Sequence, residues 1–327
     1  MSDAIRVVST EAGQSIHWLG SLGTFIANSG TTNGAYALWI DRPLGKGGSV
    51  SHVHTREEEF FYVVEGDFSF FSGGETFEAH PGAFVGLPKG LGHRFHNDGA
   101  STAKVLIGLI PGGGEGFFLD LGNPYSEPND ASFPPDPKRS AEVAARYGQT
   151  LLKPNLLGQH PDPRTADLPL GFGRSAIFRE SGDGDTYAAG GVLFTLKAVA
   201  AQTLGAYSVV EVALAPGAAF PAHRHHRCAE GLYVFEGTLT VEGDGSPTTA
   251  DADSFVTIPP GAVHSMANTT DRPIRLLQLS VPGGIEDFYR STCRPVHDRL
   301  TLADLANAPV DTDRLAKRGP GFGVEFS

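Results

Sequence analysis

The stretch His52-Val53-His54-Thr55-Arg56-Glu57-Glu58-Glu59 decides how this chain folds, because its pattern returns as His223-Arg224-His225-His226-Arg227-Cys228-Ala229-Glu230. Adding 171 to the residue number carries both histidines and the last glutamate of the first stretch onto the same residue types in the second. The same offset relates Gly66, Pro88, Gly90, His93 and Asn97 to Gly237, Pro259, Gly261, His264 and Asn268. The sequence therefore predicts a tandem duplication.

The spacing within each copy predicts strands whose side chains converge. Alternate residues of an extended strand share a face, so the two histidines of each His-x-His stretch point the same way. Glu59 opens a second strand that ends in a hairpin turn at Gly66, and Pro88-Lys89-Gly90 turns the chain back towards His93. Three imidazoles and one carboxylate of each copy can then meet at one point.

This donor set indicates a metal centre in each copy. Neutral imidazoles and a carboxylate suit divalent transition metals, and the missing thiolates argue against a closed structural zinc site. Four protein donors leave one or two exchangeable positions on the ion, as in catalytic centres. We expect up to two ions per chain, of Fe, Mn, Ni, Co or Cu. The predicted ligands are His52, His54, Glu59 and His93 in the first copy and His223, His225, Glu230 and His264 in the second.

Composition predicts a soluble protein of two domains. The 327 residues include 42 glycines and 23 prolines, which suits strands joined by frequent turns. A net charge of -12 argues against nucleic acid or an anionic membrane as partner. We expect no signal peptide and no membrane span, because no uncharged apolar run reaches the length needed. With Cys228 and Cys293 as the only cysteines, we expect a cytoplasmic protein without a disulfide framework.

Short strands separated by turns are predicted almost throughout, which is typical of a barrel or sandwich. A helix is predicted between the halves, capped by Asp136, with Pro137 in its first turn and Gly148 after its end. A second trailing helix is predicted to start at Thr301-Leu302-Ala303-Asp304 and to stop at Arg318-Gly319. We place the domain boundary at residue 150, giving domains 1–150 and 151–327, with terminal strands free to cross to the other barrel.

The paired motifs, read together, resemble the cupin superfamily, and two complete copies resemble a bicupin. The resemblance covers nearly the whole chain. It implies an all-β fold of two tandem double-stranded β-helix (jelly-roll) barrels with short trailing helices. Two positions depart from the usual pattern without touching a ligand. Lys46 stands where the first motif usually opens with glycine, and Asp253 stands at the position matching Gly82.

Strand parity also predicts which residues lie beside the metals. Phe61 and Phe95 share the inward face with Glu59 and His93, and an aromatic wall there could hold a planar substrate. The alternative is that these rings only fill the barrel core. The predicted substrate-binding residues are Tyr36, Phe61 and Phe95 in the first copy and Leu232 and Met266 in the second.

The layout of two complete centres, a Pro-rich connector and a helix after each barrel resembles the bacterial bicupin flavonol dioxygenases, or quercetinases. That resemblance implies ring cleavage of a flavonol by O2 with release of carbon monoxide. Glu59 would accept the proton of the 3-hydroxyl, and Glu230 is the matching catalytic candidate in the second copy. The expected partners are a small aromatic or enolic substrate and O2, and a homodimer is left open.

Other functions remain open at this point. An oxygenase acting on another enol, phenol or secondary metabolite keeps the same chemistry with a different substrate. A redox-neutral isomerase or epimerase, or a non-catalytic ligand-binding bicupin, belongs to another class. Oxygen dependence separates the oxygenases from the isomerases, and metal content separates both from a binding protein.

Overall fold

The computed structural model describes residues 4–18, 20–124, 136–152, 173–243, 246–296, 302 and 309–327. The chain divides into two compact units. The N-terminal unit is Gly13–Gly182, and the C-terminal unit joins Met1–Ala12 to Asp183–Ser327. None of the described helices has the length and apolar character that a membrane span needs.

Strands dominate both units. The strands up to the connector are β1 (Arg6–Ser9), β2 (Gln14–Trp18), β3 (Ser21–Ala27), β4 (Ala37–Pro43), β5 (His52–His54), β6 (Glu58–Glu65), β7 (Phe68–Ser72), β8 (Glu75–Ala79), β9 (Phe84–Leu87), β10 (His93–Asn97), β11 (Lys104–Ile110), β12 (Asn123–Pro124) and β13 (Gln149–Leu151). Those after it are β14 (Ile177–Arg179), β15 (Thr186–Ala189), β16 (Val192–Ala198), β17 (Ser208–Leu214), β18 (Ala219–His225), β19 (Ala229–Glu236), β20 (Thr238–Glu242), β21 (Thr248–Asp251), β22 (Ser254–Ile258), β23 (His264–Ala267), β24 (Ile274–Val281), β25 (Arg294–Val296) and β26 (Val324–Phe326).

Five short α-helices have their bounds in the described part of the chain. They are α1 (Gly116–Leu121), α2 (Pro137–Arg146), α3 (Ala200–Thr203), α4 (Ile285–Thr292) and α5 (Thr312–Arg318). Helix α2 begins as predicted, because the Asp136 side chain accepts a hydrogen bond from the Lys138 backbone N–H at 2.9 Å. The predicted start of the second trailing helix falls outside the described residues except at residue 302, and α5 ends before Gly319 as predicted.

Each unit is a pair of antiparallel sheets with the same strand order. In the N-terminal unit the sheets run β12-β2-β3-β4-β11-β6-β9-β14 and β13-β5-β10-β7-β8. In the C-terminal unit they run β25-β15-β16-β17-β24-β19-β22-β1 and β26-β18-β23-β20-β21. This repeated order confirms the prediction of two tandem all-β jelly-roll barrels, since both copies of the sequence pattern place their strands alike.

The core of each barrel lies between its two sheets. In the N-terminal unit the ring of Phe61, on β6, packs against Phe70 on β7 and Phe95 on β10, with centroids 4.9 and 5.4 Å apart. In the C-terminal unit Phe194, on β16, packs against Phe220 on β18 at 5.4 Å. Burial of such rings is the main source of stability for a sandwich of this kind.

The units do not divide at residue 150 as predicted. Strand β14 pairs with β9, so the N-terminal unit continues to Gly182. Strand β1 pairs with β22, so the first residues of the chain belong to the C-terminal unit. The predicted boundary lies just after α2, which ends at Arg146, whereas the unit boundary follows backbone hydrogen bonds that sequence spacing does not reveal.

The two departures from the family pattern are turn positions at which both copies need the same backbone. Lys46 has φ of 64° where Gly217 has 73°, and Asp253 has 66° where Gly82 has 90°. A non-glycine residue in this left-handed region needs local support. The Lys46 ammonium donates to the carbonyl of Asp98, and the Asp253 carboxylate accepts from the Tyr233 hydroxyl at 2.7 Å. The exchanges therefore preserve the turns.

Candidate metal centres and the N-terminal cavity

The first centre lies inside the N-terminal unit, where β5, β6 and β10 bring its four donors together. His52 and His93 are directly opposite on paired strands. The His93 Nε2 atom is 2.7 Å from Glu59 Oε2, and His54 Nε2 is 3.5 Å from the same oxygen. All four donor atoms lie within 4.8 Å of one another. The structure thus assembles the predicted first set.

The second centre repeats this arrangement on β18, β19 and β23. His223 faces His264 across paired strands. The His264 and His225 Nε2 atoms lie 2.9 and 3.3 Å from Glu230 Oε2, and the Nε2 atoms of His223 and His225 are 3.1 Å apart. These four donor atoms also lie within 4.8 Å of one another.

Backbone contacts orient the imidazoles for metal binding. In four of the six ligand histidines Nδ1 lies within hydrogen-bond distance of the carbonyl oxygen two residues earlier, which makes Nδ1 the donor and leaves the Nε2 lone pair facing the centre. The distances are 2.8 Å for His52, 2.9 Å for His93, 2.9 Å for His223 and 3.2 Å for His264. The donors fit a divalent transition metal, and the prediction of two metal sites per chain is confirmed.

Three consecutive glutamates of the first copy have three different partners. Glu57 Oε2 is 3.4 Å from Nδ1 of His54. Glu58 forms a two-pronged ion pair with Arg174, both N–O distances being 2.7 Å. Only Glu59 reaches the centre. The position matching Glu57 in the second copy is Cys228, whose pKa is raised to about 12 by burial, so it remains a neutral thiol.

Burial and neighbouring charges put four of the eight donors in the form that binds a cation. Against the effect of burial, the neighbouring carboxylates raise the pKa of His54 to about 9 and also raise that of His264. Burial, helped by His93 and His54, lowers the pKa of His52 to about 3, so its ring is neutral. Burial alone would raise the pKa of Glu59, but His54 and His93 outweigh it and hold that pKa well below its usual range. The pKa values of His223 and Glu230 are lowered in the same way. The carboxylates are therefore ionised at neutral pH.

The two carboxylates differ in what holds them. In the second centre the Gln278 side-chain amide donates to Glu230 Oε1, and the Tyr289 hydroxyl donates to Gln278 Oε1 at 2.7 Å. The matching positions in the first centre are Ile107 and Phe118, which cannot form these bonds. Glu230 is therefore fixed by a buried amide, whereas the wall around Glu59 is apolar.

A cavity opens beside the first centre, with His52 and Glu59 in its wall. It contains about 690 Å³ of space not filled by atoms, including its open mouth. Both tryptophans of the chain line it, and most of its remaining wall is apolar. The aromatic lining residues are Trp18, Phe25, Trp39, Phe95, Phe117 and Phe118.

Two polar features interrupt the apolar wall. The Ser21 hydroxyl donates to Asp41 Oδ1 at 2.6 Å, and burial raises the pKa of Asp41 to about 6 against the opposing effects of Ser21 and Arg42. Gln149 also lines the cavity, and within the described residues its buried Nε2 has no hydrogen-bond partner.

The matching space in the C-terminal unit is filled. Phe194 stands at the position of Gly23 and stacks on Tyr289, with ring centroids 4.1 Å apart. A Cβ added at Gly23 would meet its nearest neighbours, Trp39 and Asp41, only at ordinary contact distances of 3.5 and 3.7 Å. The backbone therefore tolerates a side chain there, and glycine leaves room inside the barrel.

The five residues predicted to contact substrate occupy different places. Phe95 lines the cavity, Phe61 lies behind it in the core, and Tyr36 is fully buried. Leu232 and Met266 belong to the core of the C-terminal unit. That these five residues contact a substrate remains a prediction.

Several residues that line the cavity were not predicted from the sequence, although the repeat contains a signal for them. At two inward positions the side chains of the two copies differ in size or polarity. Gly23 of the first copy corresponds to Phe194 of the second, and Ile107 corresponds to Gln278. Comparing the copies position by position would have marked them. Phe117 and Phe118 were missed because α1 was not predicted.

We expect the purified protein to carry up to two transition-metal ions per chain. Elemental analysis of protein produced in metal-supplemented medium measures this directly. Less than about 0.3 ion per chain after reconstitution would contradict the presence of working centres, because sites with these donors bind their ions tightly once deprotonated.

Asp41→Asn should stabilise the protein more at pH 7.5 than at pH 4.5. The pKa of Asp41 is about 6 in the fold against an ordinary value of 3.8, so between these values the folded state holds the proton more firmly. Wild-type stability therefore falls as pH rises through this window, by up to about 3 kcal/mol. Denaturant unfolding of both proteins at the two pH values measures the difference. An equal gain in the free energy of unfolding at both pH values would show that burial does not raise the pKa of Asp41.

Comparison with known proteins agrees with this architecture. A family model described as "Cupin domain" matches residues 39–108 and again residues 210–281. Quercetin 2,3-dioxygenase of Bacillus subtilis is 28% identical over 146 residues, covering 45% of this chain and 43% of that protein. Gentisate 1,2 dioxygenase 1 of Aquipseudomonas alcaligenes is 28% identical over 142 residues, covering 40% of this chain and 41% of that protein. The chain thus spans less than half the length of either relative.

A solved structure shows the same fold over more of the chain. A variant of oxalate decarboxylase from B. subtilis superposes with a TM-score of 0.59, covering 85% of this chain and 77% of that one at 16% identity. The two matches to the cupin model start 171 residues apart, at the offset that relates the two metal centres. Each half of the chain therefore contains a cupin domain.

Proposed function

We propose that the N-terminal unit is a metal-dependent dioxygenase that cleaves the heterocycle of a flavonol with O2 and releases carbon monoxide. The observation that carries this proposal is the aromatic cavity that opens directly onto His52 and Glu59. A flat aromatic ring system fits such walls, because rings stack or pack edge to face against Trp and Phe side chains.

The residues of the cavity have separate tasks in this reaction. A bound divalent metal supplies Lewis acidity, which lowers the pKa of a coordinated hydroxyl. Glu59 accepts the proton of the flavonol 3-hydroxyl, since its carboxylate is buried beside the centre, with Oε2 2.7 Å from His93 Nε2 and 3.5 Å from His54 Nε2. The aromatic walls hold the rings in place and exclude water from the reacting atoms.

The relatives support this chemistry in different degrees. Two of them are dioxygenases by name, one acting on quercetin and one on gentisate. Oxalate decarboxylase shares the fold at low identity. Oxalate is a small dianion, and none of the described residues that line the cavity is Arg or Lys. The cavity therefore favours a neutral aromatic substrate over a small dicarboxylate.

Another phenol or enol is the second candidate substrate. The gentisate dioxygenase match favours it, as does the Ser21–Asp41 pair, which offers an acceptor to a hydroxyl group on a smaller ring. The proton transfer to Glu59 would be the same.

We further propose that the second centre holds its metal without a substrate. Phe194 and Tyr289 occupy the space that a substrate would need, and Gln278 fixes the carboxylate that would have to accept a proton. A centre of this kind stabilises the fold through its metal.

Incubation of the metal-loaded protein with quercetin, 3-hydroxyflavone and gentisate, with and without O2, tests the proposal. We expect loss of flavonol absorbance only with O2, together with about one carbon monoxide per flavonol consumed, as the proposed cleavage requires. Loss of gentisate alone would favour the second candidate. Turnover without O2 would indicate a redox-neutral enzyme. If none of the compounds is turned over, both candidate substrate classes are overturned.

A further inference from the structure

Gln149 occupies an unusual position beside the first metal centre. It opens β13, whose register on β5 pairs Gln149 with His54 and Leu151 with His52. Gln149 and Leu151 both line the cavity, because alternate side chains of a strand share one face, here the face of the ligands. The amide therefore lies on the inside of the barrel next to two metal ligands.

The amide is buried with an unused donor. Gln149 is 4% exposed, and its Nε2 has no hydrogen-bond partner within the described residues. A buried polar group without a partner destabilises a protein, so such groups usually have a structural or functional reason. The fold itself supplies none here, because the matching strand β26 places Val324 opposite His225 without any amide.

We propose that Gln149 is a substrate-binding residue, whose Nε2 donates a hydrogen bond to an oxygen of the aromatic substrate at the metal end of the cavity. This inference rests on the proposed function. A flavonol offers such an acceptor in the carbonyl next to its 3-hydroxyl, so one donor would fix the rotation of the ring system relative to Glu59. An amide suits this task, since it donates without adding a charge to an apolar cavity.

The exchange Gln149→Met separates this role from a structural one. Methionine has a similar length and no donor, so removing the unused amide should raise the thermal unfolding midpoint of the ligand-free protein by a few degrees. The same exchange should weaken substrate binding about tenfold, the usual effect of one lost hydrogen bond. A purely structural amide would not give higher stability together with weaker binding.

Tryptophan fluorescence gives a binding assay that needs no turnover. Trp18 and Trp39 both line the cavity and are the only tryptophans of the chain, so quenching reports occupation of this site. Zinc-loaded protein under anaerobic conditions would be titrated with 3-hydroxyflavone and with gentisate. Thr150→Val is the matched control, because Thr150 is the exposed neighbour of Gln149 on the same strand.

The outcomes separate this inference from the proposed function. Binding of a probe that is weakened in Gln149→Met but unchanged in Thr150→Val supports the inference. Equal affinities in wild type and Gln149→Met, or a lower unfolding midpoint in that variant, would overturn the inference alone. If neither probe quenches the wild-type protein, the aromatic substrate class and the role of Gln149 both fail.

Discussion

Glu59→Gln should retain most of its metal and lose about 10²-fold or more in turnover, the usual scale for removing a general base. Glutamine keeps the size and one oxygen donor of glutamate but cannot accept the substrate proton. Three histidine ligands remain, two of them oriented by backbone carbonyls at 2.8 and 2.9 Å. Turnover of 3-hydroxyflavone and elemental analysis of the same sample measure the two effects.

The pH profile of this variant is a second measure of the same role. The deficit should shrink as pH rises, because a substrate already ionised in solution needs no base. Glu58→Gln is the matched control, since Glu58 is neighbouring but pairs with Arg174 outside the centre. Metal loss in step with activity would make Glu59 a ligand only, and full activity with bound metal would remove it from the mechanism.

His93→Ala and His264→Ala should have unequal effects, although the two residues hold the same place in the repeat. We expect His93→Ala to lose about 10²-fold or more in turnover, since even changes to groups that support metal ligands cost 10–100-fold. His264→Ala should keep a large part of its activity, because Phe194 and Tyr289 fill the cavity beside its centre.

Steady-state rates, with metal content and circular dichroism for each variant, test this comparison. Equal losses with both folds intact would show that both centres work. A larger loss in His264→Ala would mean that the reaction takes place in the C-terminal unit and that the open cavity serves another purpose.

The sequence was sufficient to predict the fold and the grouping of the donor residues, because both depend on local spacing. Alternation along β5 puts His52 and His54 on one face, and the Pro88-to-Gly90 turn returns His93 to meet them. Such rules act over a few residues and repeat in both copies. The eight residues of the two donor groups could therefore be named from the sequence alone.

The cavity and the unit boundary could not be predicted because they depend on contacts between distant elements. Helix α1 brings Phe117 and Phe118 to the cavity, and β13 brings Gln149 to β5. Nothing in the local pattern of these segments marks them as neighbours of a metal ligand. The difference between an open and a filled barrel depends on single exchanges such as Gly23 for Phe194.

Strand β1 determines how the C-terminal unit could be produced alone. A continuous fragment that begins at Asp183 lacks Arg6–Ser9, so the backbone groups of β22 that pair with them would form an open edge. Open edges recruit strands from other molecules and lead to aggregation. A synthetic peptide of residues 4–12 could close that edge in trans by strand addition. Residues from both ends of the chain are therefore needed to build this unit, and peptide complementation offers a way to isolate the second metal centre.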